Sequence, residues 1–205
     1  GPADRRLADL PDATAVYLVP GEILAAASTL AAPPRVLAVL PQPGPWGFAD
    51  VDFPPDPAAF LAGVGDPGNV GTLVRSAAAL GVGWLALAPG SADPYHPRAV
   101  RAAMGSTFSL PVLSGVRVED LATRGEIRTV AAAAEGGRPP WEVDLTGPLM
   151  LVLGSEREGL GDLGGRLGPS EIVTIPQSDG AESLNVAAAG AALFSEMRRQ
   201  RLSAR

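Results

Sequence analysis

The sequence lacks several chemically important residue types: among its 205 residues there is no cysteine, no lysine and only one histidine, His96. The absence of cysteine excludes disulfides, zinc–thiolate sites and thiol catalysis, and it leads us to expect a cytoplasmic protein. The absence of lysine excludes Schiff-base chemistry and the phosphate-binding lysine of P-loop ATPases. His96 lies in a loop-like Pro-Tyr-His-Pro segment, so we assign it no catalytic role and expect no metal site.

Long apolar runs and an excess of positive charge are also missing. No run reaches the ~18–20 apolar residues that span a membrane, so we expect no membrane partner. The net charge is −6, and all 16 basic residues are arginine. This charge argues against an unspecialised nucleic-acid binder but leaves room for a local arginine patch. With 46% hydrophobic residues, the chain can bury the core of one α/β domain with a small appendage.

Short apolar runs alternate with helical segments from residue 59 onward. This alternation predicts an α/β fold, with a parallel sheet flanked by helices on both faces. The predicted strands cover residues 60–64, 84–88, 109–113, 128–134, 149–153 and 172–175. The predicted helices cover residues 69–80, 97–104, 118–124 and 184–197.

The first part of the chain is too short for a core of its own. It contains strand-like runs at residues 16–19 and 36–40 around a helix-like segment at residues 22–30. A Pro- and Gly-rich linker follows at residues 41–58. We therefore predict two parts: an appendage with its linker at residues 1–48, and the main domain at residues 49–205.

The loop after the first strand of the main domain contains the string DPGNVGTLVRS, residues 66–76. Its Pro-Gly pair predicts a tight turn, and Asn69 follows at the start of the next helix. Val70, Leu73 and Val74 share the inward stripe of that helix, and Arg75 lies at the edge of the stripe. On spacing alone, a capping asparagine and a surface arginine explain the motif as well as a functional site does.

The loop after the fifth strand reads Gly-Ser-Glu-Arg-Glu-Gly, residues 154–159. Glycines at both ends let the backbone approach a ligand. The two glutamates and the lack of a following lysine speak against a phosphate-binding loop. Solvated charges explain Arg157 and Glu158, whereas Glu156 lies nearest the strand end and is the better candidate for a site residue.

A third polar loop follows the last strand and leads into the C-terminal helix. We expect Ser183 to cap that helix, and capping alone explains its presence. Asn185 is harder to explain inside the first helical turn, since asparagine is a mediocre helix former. Ligands bind outside the carboxyl ends of parallel strands, so the second and third loops predict where the chemistry lies.

Taken together, the strings DPGNVGTLVRSAAALG, RAVRAAMGS, LVLGSEREGL and IPQSDGAESLNVAAA resemble the SpoU/TrmH family of ribose 2′-O-methyltransferases, in the SPOUT superfamily. The resemblance runs from about residue 65 to residue 197. It implies a C-terminal deep trefoil knot, a rare exception to the usual connection rules. The string VYLVPGEILAAASTLAAPPRVLAVLP near the N-terminus resembles the end of an L30e-like RNA-binding domain, which implies a short remnant of that appendage.

The resemblance also implies a cofactor, partners and residue roles. S-adenosylmethionine is expected in the knot loops, in a site completed across a homodimer that acts on RNA. The implied cofactor-binding residues are Leu153, Gly154, Ile175, Pro176, Leu184 and Asn185. The implied catalytic residues are Asn69, Arg75, Glu156, Ser183 and Asn185, of which Asn69 and Arg75 would face the acceptor ribose and its phosphate.

The implied reaction is methyl transfer to a ribose 2′-hydroxyl. We favour 23S ribosomal RNA, because an L30e-like appendage is common in members that act on ribosomal RNA. Positioning dominates such a reaction, and we favour Arg75 as the residue that orients a phosphate. A role of Arg75 as the base is the alternative, which the intrinsic basicity of arginine disfavours. Transfer RNA as the substrate, or a non-catalytic member that binds the cofactor or RNA, are the alternatives. A Rossmann dehydrogenase is disfavoured, since no G-x-G-x-x-G follows the first strand.

Two features of the sequence depart from the family pattern. The usual Ile-Pro-Met is Ile-Pro-Gln here, with Gln177 in the third place, which is expected to alter the edge of the cofactor pocket. The acidic residue that commonly precedes this strand is displaced, with Pro169-Ser170-Glu171 in that region.

Overall fold

The structure is a computed structural model of the chain, and it describes residues 10, 14–30, 32–44, 46, 51, 57–122, 128–155, 159–178 and 183–204. Contacts between residues divide the chain into two units, residues 1–41 and residues 42–205. No helix in these described ranges has the length and apolar character needed to cross a membrane.

The described residues of the first unit contain one short helix, α1, at Gly21–Ala26. Residues 16–19 and 36–40 are described and irregular, so the strands predicted there are wrong. Leu18 and Val39 are more than nine-tenths exposed, and a strand without paired neighbours and an apolar face to cover is not stable. The helix predicted over residues 22–30 ends early, because the weak helix formers Ser28 and Thr29 follow it. The L30e-like remnant stays a prediction.

The described residues of the second unit form a sheet of six strands in the order β3-β2-β1-β5-β4-β6. All neighbouring strands are parallel, which confirms the predicted sheet. The central strands β1 and β5 pair so that Leu61 lies opposite Leu153 and Ala62 opposite Gly154. The strands are β1 Ala58–Ala62, β2 Trp84–Leu87, β3 Val112–Ser114, β4 Arg128–Ala132, β5 Leu149–Gly154 and β6 Glu171–Val173.

Several strand boundaries differ from the predicted ones by one to three residues, and two of these differences have a clear local reason. β1 ends at Ala62 because Gly63 has a left-handed φ of 78°, which breaks the extended path. β3 begins only at Val112, since a 3-10 turn occupies Ser106–Phe108. The intervening Pro111 has no N–H to give to the ladder.

Helices cover both faces of the sheet, as predicted. The helix α2 carries the predicted apolar stripe, with Val70, Leu73 and Val74 fully buried. Helix α5 was not predicted, because three glycines in its seven residues hide it. The helices of the second unit are α2 Pro67–Leu80, α3 Pro97–Ala103, α4 Val118–Ala122, α5 Gly161–Leu167 and α6 Val186–Ser203, with a further 3-10 turn at Pro140–Glu142.

The alternation of side chains along the strands divides the core into two layers. On one face, strand residues such as Leu85 and Leu151 pack with residues of α2 and α6, including Leu73 and Phe194. On the other face, strand residues such as Phe60, Trp84 and Met150 pack with Val118 and Leu121 of α4. Because β1 and β5 are buried on both faces, their carboxyl ends are held at fixed positions.

Strand β6 lies between β4 and a segment that follows β4 in the chain. On one side Val173 pairs with Ala132. On the other side the N–H of Arg138 donates to Ile172 and its carbonyl accepts from Thr174, at 3.0 and 2.9 Å. The Arg138 guanidinium also lies 3.7 Å from the Glu171 carboxylate. The chain after β4 therefore passes around β6, and a knotted C-terminal segment would need this arrangement. The knot itself stays a prediction.

Candidate functional site

A cavity of about 370 Å³ lies beyond the carboxyl ends of β4, β5 and β6. Its position agrees with the general rule for ligand sites in open parallel sheets. Most of the lining residues are apolar, several of them alanines, and a few carry polar side chains. The lining residues are Ala132, Ala133, Ala134, Leu153, Gly154, Ser155, Gly159, Leu160, Ile175, Gln177, Ser183, Leu184, Val186, Ala189 and Leu193.

The loop after β5 closes on itself at the edge of this cavity. The N–H of Ser155 donates to Gly159 at 2.8 Å, and the N–H of Gly159 donates back to Ser155 at 3.0 Å. A Cβ atom at position 154 would lie 2.7 Å from the Leu160 nitrogen, which is closer than such atoms pack. Gly154 is therefore required by this close approach of the loop. Glu156, predicted as a site residue, lies outside the described residues, as do residues 157 and 158.

The segment after β6 forms another wall. Ile175 and Gln177 line the cavity, whereas Pro176 between them is exposed and is not among the described lining residues. Ser183 and Leu184 line the cavity from the entrance of α6. Of the six predicted cofactor-binding residues, four thus face the same space: Leu153, Gly154, Ile175 and Leu184. The roles assigned to them remain predictions.

Asn185, rather than Ser183, caps helix α6. Its side-chain oxygen accepts from the N–H groups of Ala187 and Ala188, at 2.9 and 3.3 Å. The predicted capping by Ser183 is wrong because the helix begins two residues later than predicted, at Val186. The cap also removes the difficulty of an asparagine within the first turn, since asparagine is a favoured N-cap residue.

The amide of Asn185 joins two loops that are distant in sequence. Its Nδ2 donates to the side-chain oxygen of Asn69 at 3.1 Å, so two of the predicted catalytic residues meet. The N–H of Asn69 in turn donates to the Asp66 carboxylate at 3.0 Å, and Arg98 pairs with that carboxylate at 3.2 Å. The hydrogen bond from Asn69 and, more weakly, the Arg98 guanidinium lower the pKa of Asp66 below its usual value.

Close packing of two helices makes this junction possible. A Cβ atom at Gly190 of α6 would lie 2.9 Å from Cδ1 of Leu153 and would overlap the Leu73 side chain of α2. A glycine therefore lets α6 approach α2 and β5 closely. This approach brings the N-terminal ends of the two helices together.

Arg75 lies apart from the cavity and is exposed. It is six residues beyond Asn69 on α2, which places it about 9 Å further along the helix axis and on another side of the helix. In the described part of the chain, no hydrogen bond or ion pair holds its guanidinium. One copy of the chain therefore does not bring Arg75 to the junction of Asn69 and Asn185.

Several residues at the site were not predicted from the sequence. Ala132–Ala134 line the cavity without any polar group to mark them, although the strand-end rule applied to β4 would have found them. Gln177 was noted only as a departure from the family pattern. Asp66 directly precedes a Pro-Gly turn and Arg98 lies in a predicted helix. Nothing in the sequence shows that these two residues pair.

Comparisons with known proteins identify the family of the chain. The model of the SpoU rRNA Methylase family matches residues 57–195. The 23S rRNA (uridine(2479)-2′-O)-methyltransferase of Streptomyces viridochromogenes is 36% identical over 186 residues, which cover 85% of this chain and 63% of that protein. An uncharacterized tRNA/rRNA methyltransferase of Synechocystis is 35% identical over 195 residues, which cover 92% of this chain and 69% of that protein.

Solved structures agree as well. The SpoU methyltransferase AviRb from Streptomyces viridochromogenes, in complex with the cofactor AdoMet, has a TM-score of 0.70 and 32% sequence identity. The similarity covers 77% of this chain and 65% of that one. The chain spans 63% and 69% of the length of the two relatives above. The family match nevertheless covers most of the chain, and the chain belongs to the SpoU rRNA methylase family, which confirms the resemblance of its motifs.

Proposed function

We propose that this chain transfers a methyl group from S-adenosylmethionine to a ribose 2′-hydroxyl of RNA, with 23S ribosomal RNA as the favoured substrate. The observation that carries the proposal is the cavity at the strand ends, with the Asn69–Asn185 junction beside it. Relatives named as 23S rRNA 2′-O-methyltransferases, among them one from Streptomyces laurentii that is 37% identical over 172 residues, support the substrate class.

The cavity fits the proposed cofactor in size and chemistry. Its volume of about 370 Å³ is within the range of about 300–1,000 Å³ that is typical of ligand pockets. Its apolar walls suit an adenine ring, and its few polar atoms suit the sugar and amino-acid parts. Leu153, Gly154, Ile175 and Leu184 would contact the cofactor, and Asn185 would hold the rim through its cap on α6.

The residues of the chain contribute positioning more than activation. S-adenosylmethionine supplies a methyl group on a positively charged sulfur, which needs little further activation. In the proposed transfer, the ribose oxygen would form its bond to the methyl carbon as the bond from that carbon to sulfur breaks, and the hydroxyl proton would leave to phosphate or water. Asn69, held by Asn185, would orient the ribose. Arg75 would bind the neighbouring phosphate with two parallel hydrogen bonds.

The position of Arg75 supports a homodimeric enzyme. Asn69 and Arg75 lie on different sides of α2, so a substrate that contacts both is served better by two copies of the chain. The exposure of Arg75 leaves it accessible to a site on a second copy. The threading of β6 between β4 and Arg138 likewise supports a trefoil knot, whose loops would form the cofactor pocket.

The test begins with calorimetric titration of the protein with S-adenosylmethionine and S-adenosylhomocysteine, followed by methyl transfer to ribosomal and transfer RNA. Both ligands should bind, and ribosomal RNA should accept more methyl groups. A chain that binds the cofactor but methylates neither RNA would be the non-catalytic alternative. Preference for transfer RNA would support the other alternative, which is consistent with relatives named tRNA/rRNA methyltransferases.

The variant Arg75→Ala separates catalysis from binding. It should lower kcat/KM by on the order of 100-fold while the affinity for S-adenosylhomocysteine stays unchanged, because the lost contact is to the RNA phosphate. Arg117→Ala is the matched control, since Arg117 is an exposed arginine paired with Asp120 beside α4. Equal loss in both variants would show that only overall charge matters.

A further inference from the structure

The wall of the cavity contains a polar atom that no group in the described structure satisfies. The side-chain oxygen Oε1 of Gln177 has less than 1 Å² of exposed area and no hydrogen-bond partner. Gln177 itself lines the cavity, between the end of β6 and the start of α6. A buried carbonyl that lacks a partner destabilises a folded protein, so such atoms are rare and each calls for an explanation, such as a bound water, an ion or a ligand.

The surroundings of Gln177 indicate what kind of partner is missing. The cavity is lined largely by alanine and by aliphatic side chains such as Leu153, Ile175 and Leu193. Carbon atoms cannot donate a hydrogen bond of useful strength to an amide oxygen. Among the other described lining side chains, Ser155 and Ser183 are the polar ones, and neither bonds to Oε1 of Gln177. The described wall therefore supplies no donor to this oxygen, and a ligand in the cavity that carries an N–H or O–H group would supply one.

We infer that Gln177 accepts a hydrogen bond from an N–H or O–H group of bound S-adenosylmethionine, an inference that rests on the proposed function. The cofactor carries such donors on its adenine, its ribose and its amino-acid end. An amide acceptor in an apolar wall favours binding of a ligand that places a donor at that point, because any other ligand leaves the buried oxygen unpaired. Gln177 is thus a specificity-determining residue of the pocket.

This role has a signature in the free protein as well. If Oε1 has a hydrogen-bond partner only when the ligand is bound, replacing the amide by an apolar group should stabilise the free protein and lower its affinity for the ligand. If Gln177 served only packing, its replacement would lower both the stability of the free protein and the affinity for the ligand, or would change neither. Gln177→Met is the suitable change, because methionine has a similar length and flexibility and carries no amide.

The experiment compares wild type, Gln177→Met, Gln177→Glu and the control Gln42→Met, using S-adenosylhomocysteine as the probe. Gln42 is an exposed glutamine outside the cavity. Calorimetric titration should show binding about tenfold weaker for Gln177→Met and unchanged binding for Gln42→Met. Gln177→Glu keeps an acceptor and loses the amide donor, so it should bind the probe more tightly than Gln177→Met does.

Thermal unfolding without ligand supplies the independent readout. The midpoint of Gln177→Met should rise by about 2–4 °C above wild type, whereas Gln42→Met should leave it unchanged. Equal binding by wild type and Gln177→Met would overturn the inference, as would a glutamate variant that binds as weakly as the methionine variant. Failure of wild type itself to bind the probe would instead contradict the proposed cofactor, so the two failures are distinguishable.

Discussion

The loop after β1 and the segment after β6 both end near the same site, but they satisfy their polar atoms differently. In the first, Asp66 accepts from Asn69 and pairs with Arg98, and the Thr72 hydroxyl donates to Gly68 at 2.8 Å. In the second, Gln177 presents a buried oxygen that has no partner among the described residues. These polar atoms of the first loop are satisfied within the fold, whereas the second segment leaves an oxygen for the ligand that we propose.

This difference separates two kinds of residue in our proposal. A residue such as Asn69 has its orientation fixed before any substrate arrives, which favours catalysis by positioning. A residue such as Gln177 gains its missing hydrogen bond only from the bound ligand, so its unpaired oxygen lowers the stability of the free protein. Asn185 connects the two regions, since it caps α6 and also holds Asn69.

Breaking the connection between the regions should have the largest effect. Asn185→Asp keeps an oxygen for the cap and loses the amide that donates to Asn69. We expect kcat/KM to fall by on the order of 100-fold, because Asn69 is no longer held, while stability stays near that of wild type. Steady-state methyl transfer and thermal unfolding, measured on the same preparation, check both parts.

The companion variant Asn185→Ala removes the cap as well. It should lose activity to a similar extent and also lose about 1 kcal/mol of unfolding free energy, the usual cost of a missing N-cap. Full activity in Asn185→Asp would show that the bond to Asn69 has no part in the reaction.

Pushing the helices apart should have the next largest effect. Gly190→Ala places a methyl group against Leu73 and Leu153, and overpacking of this kind costs about 1–3 kcal/mol. Gly165→Ala is the matched control, because Gly165 is also helical and a Cβ atom there meets nothing within 4 Å. The control should be neutral or more stable by up to about 1 kcal/mol. Denaturant unfolding measures the unfolding free energy of both variants. Equal values for Gly190→Ala and Gly165→Ala would contradict the close packing of α6 on α2.

Weakening the loop after β1 should have the smallest effect, and one that depends on pH. The pKa of Asp66 is lowered in the folded state, so its charge stabilises the fold above the usual carboxyl pKa of about 3.9. That stabilisation disappears as the pH falls below about 4 and the carboxyl takes up a proton. Asp66→Asn should therefore melt slightly below wild type at pH 7, and the two midpoints should approach each other as the pH falls below about 4. A difference that does not shrink as the pH falls would assign the stabilisation to shape rather than charge.

The sequence was sufficient to predict the parallel sheet, because buried strands and amphipathic helices leave clear apolar patterns. The stripe of Val70, Leu73 and Val74 is an example in which the pattern and the burial agree. Helix α5 escaped prediction because its glycines remove the local signal. The apolar residues at its ends, Leu160 just before it and Leu167 as its last residue, pack against the core only in the folded chain. The strands predicted at residues 16–19 and 36–40 failed because strands depend on partners that a local pattern does not reveal.

The candidate site could be predicted in part. The strand-end rule and the family resemblance pointed to Leu153, Gly154, Ile175 and Leu184, all of which line one cavity. The reasons for some residues could not be predicted: Gly154 is required by contact of its own loop with Leu160. The cap by Asn185 depends on where α6 begins, and helix boundaries depend on tertiary packing. The isolated oxygen of Gln177 is visible only when its neighbours in space are known.

The most direct test of the proposed activity is to map ribose methylation on ribosomal RNA after incubation with the protein and S-adenosylmethionine. A 2′-O-methyl group removes the hydroxyl that alkaline hydrolysis needs, so a modified position resists cleavage of the adjacent phosphodiester bond. We predict one protected position that appears with wild type and is strongly reduced with Arg75→Ala. Binding of S-adenosylhomocysteine without any protected position, on ribosomal or transfer RNA, would contradict the proposed ribose methylation and leave a cofactor-binding protein of another role.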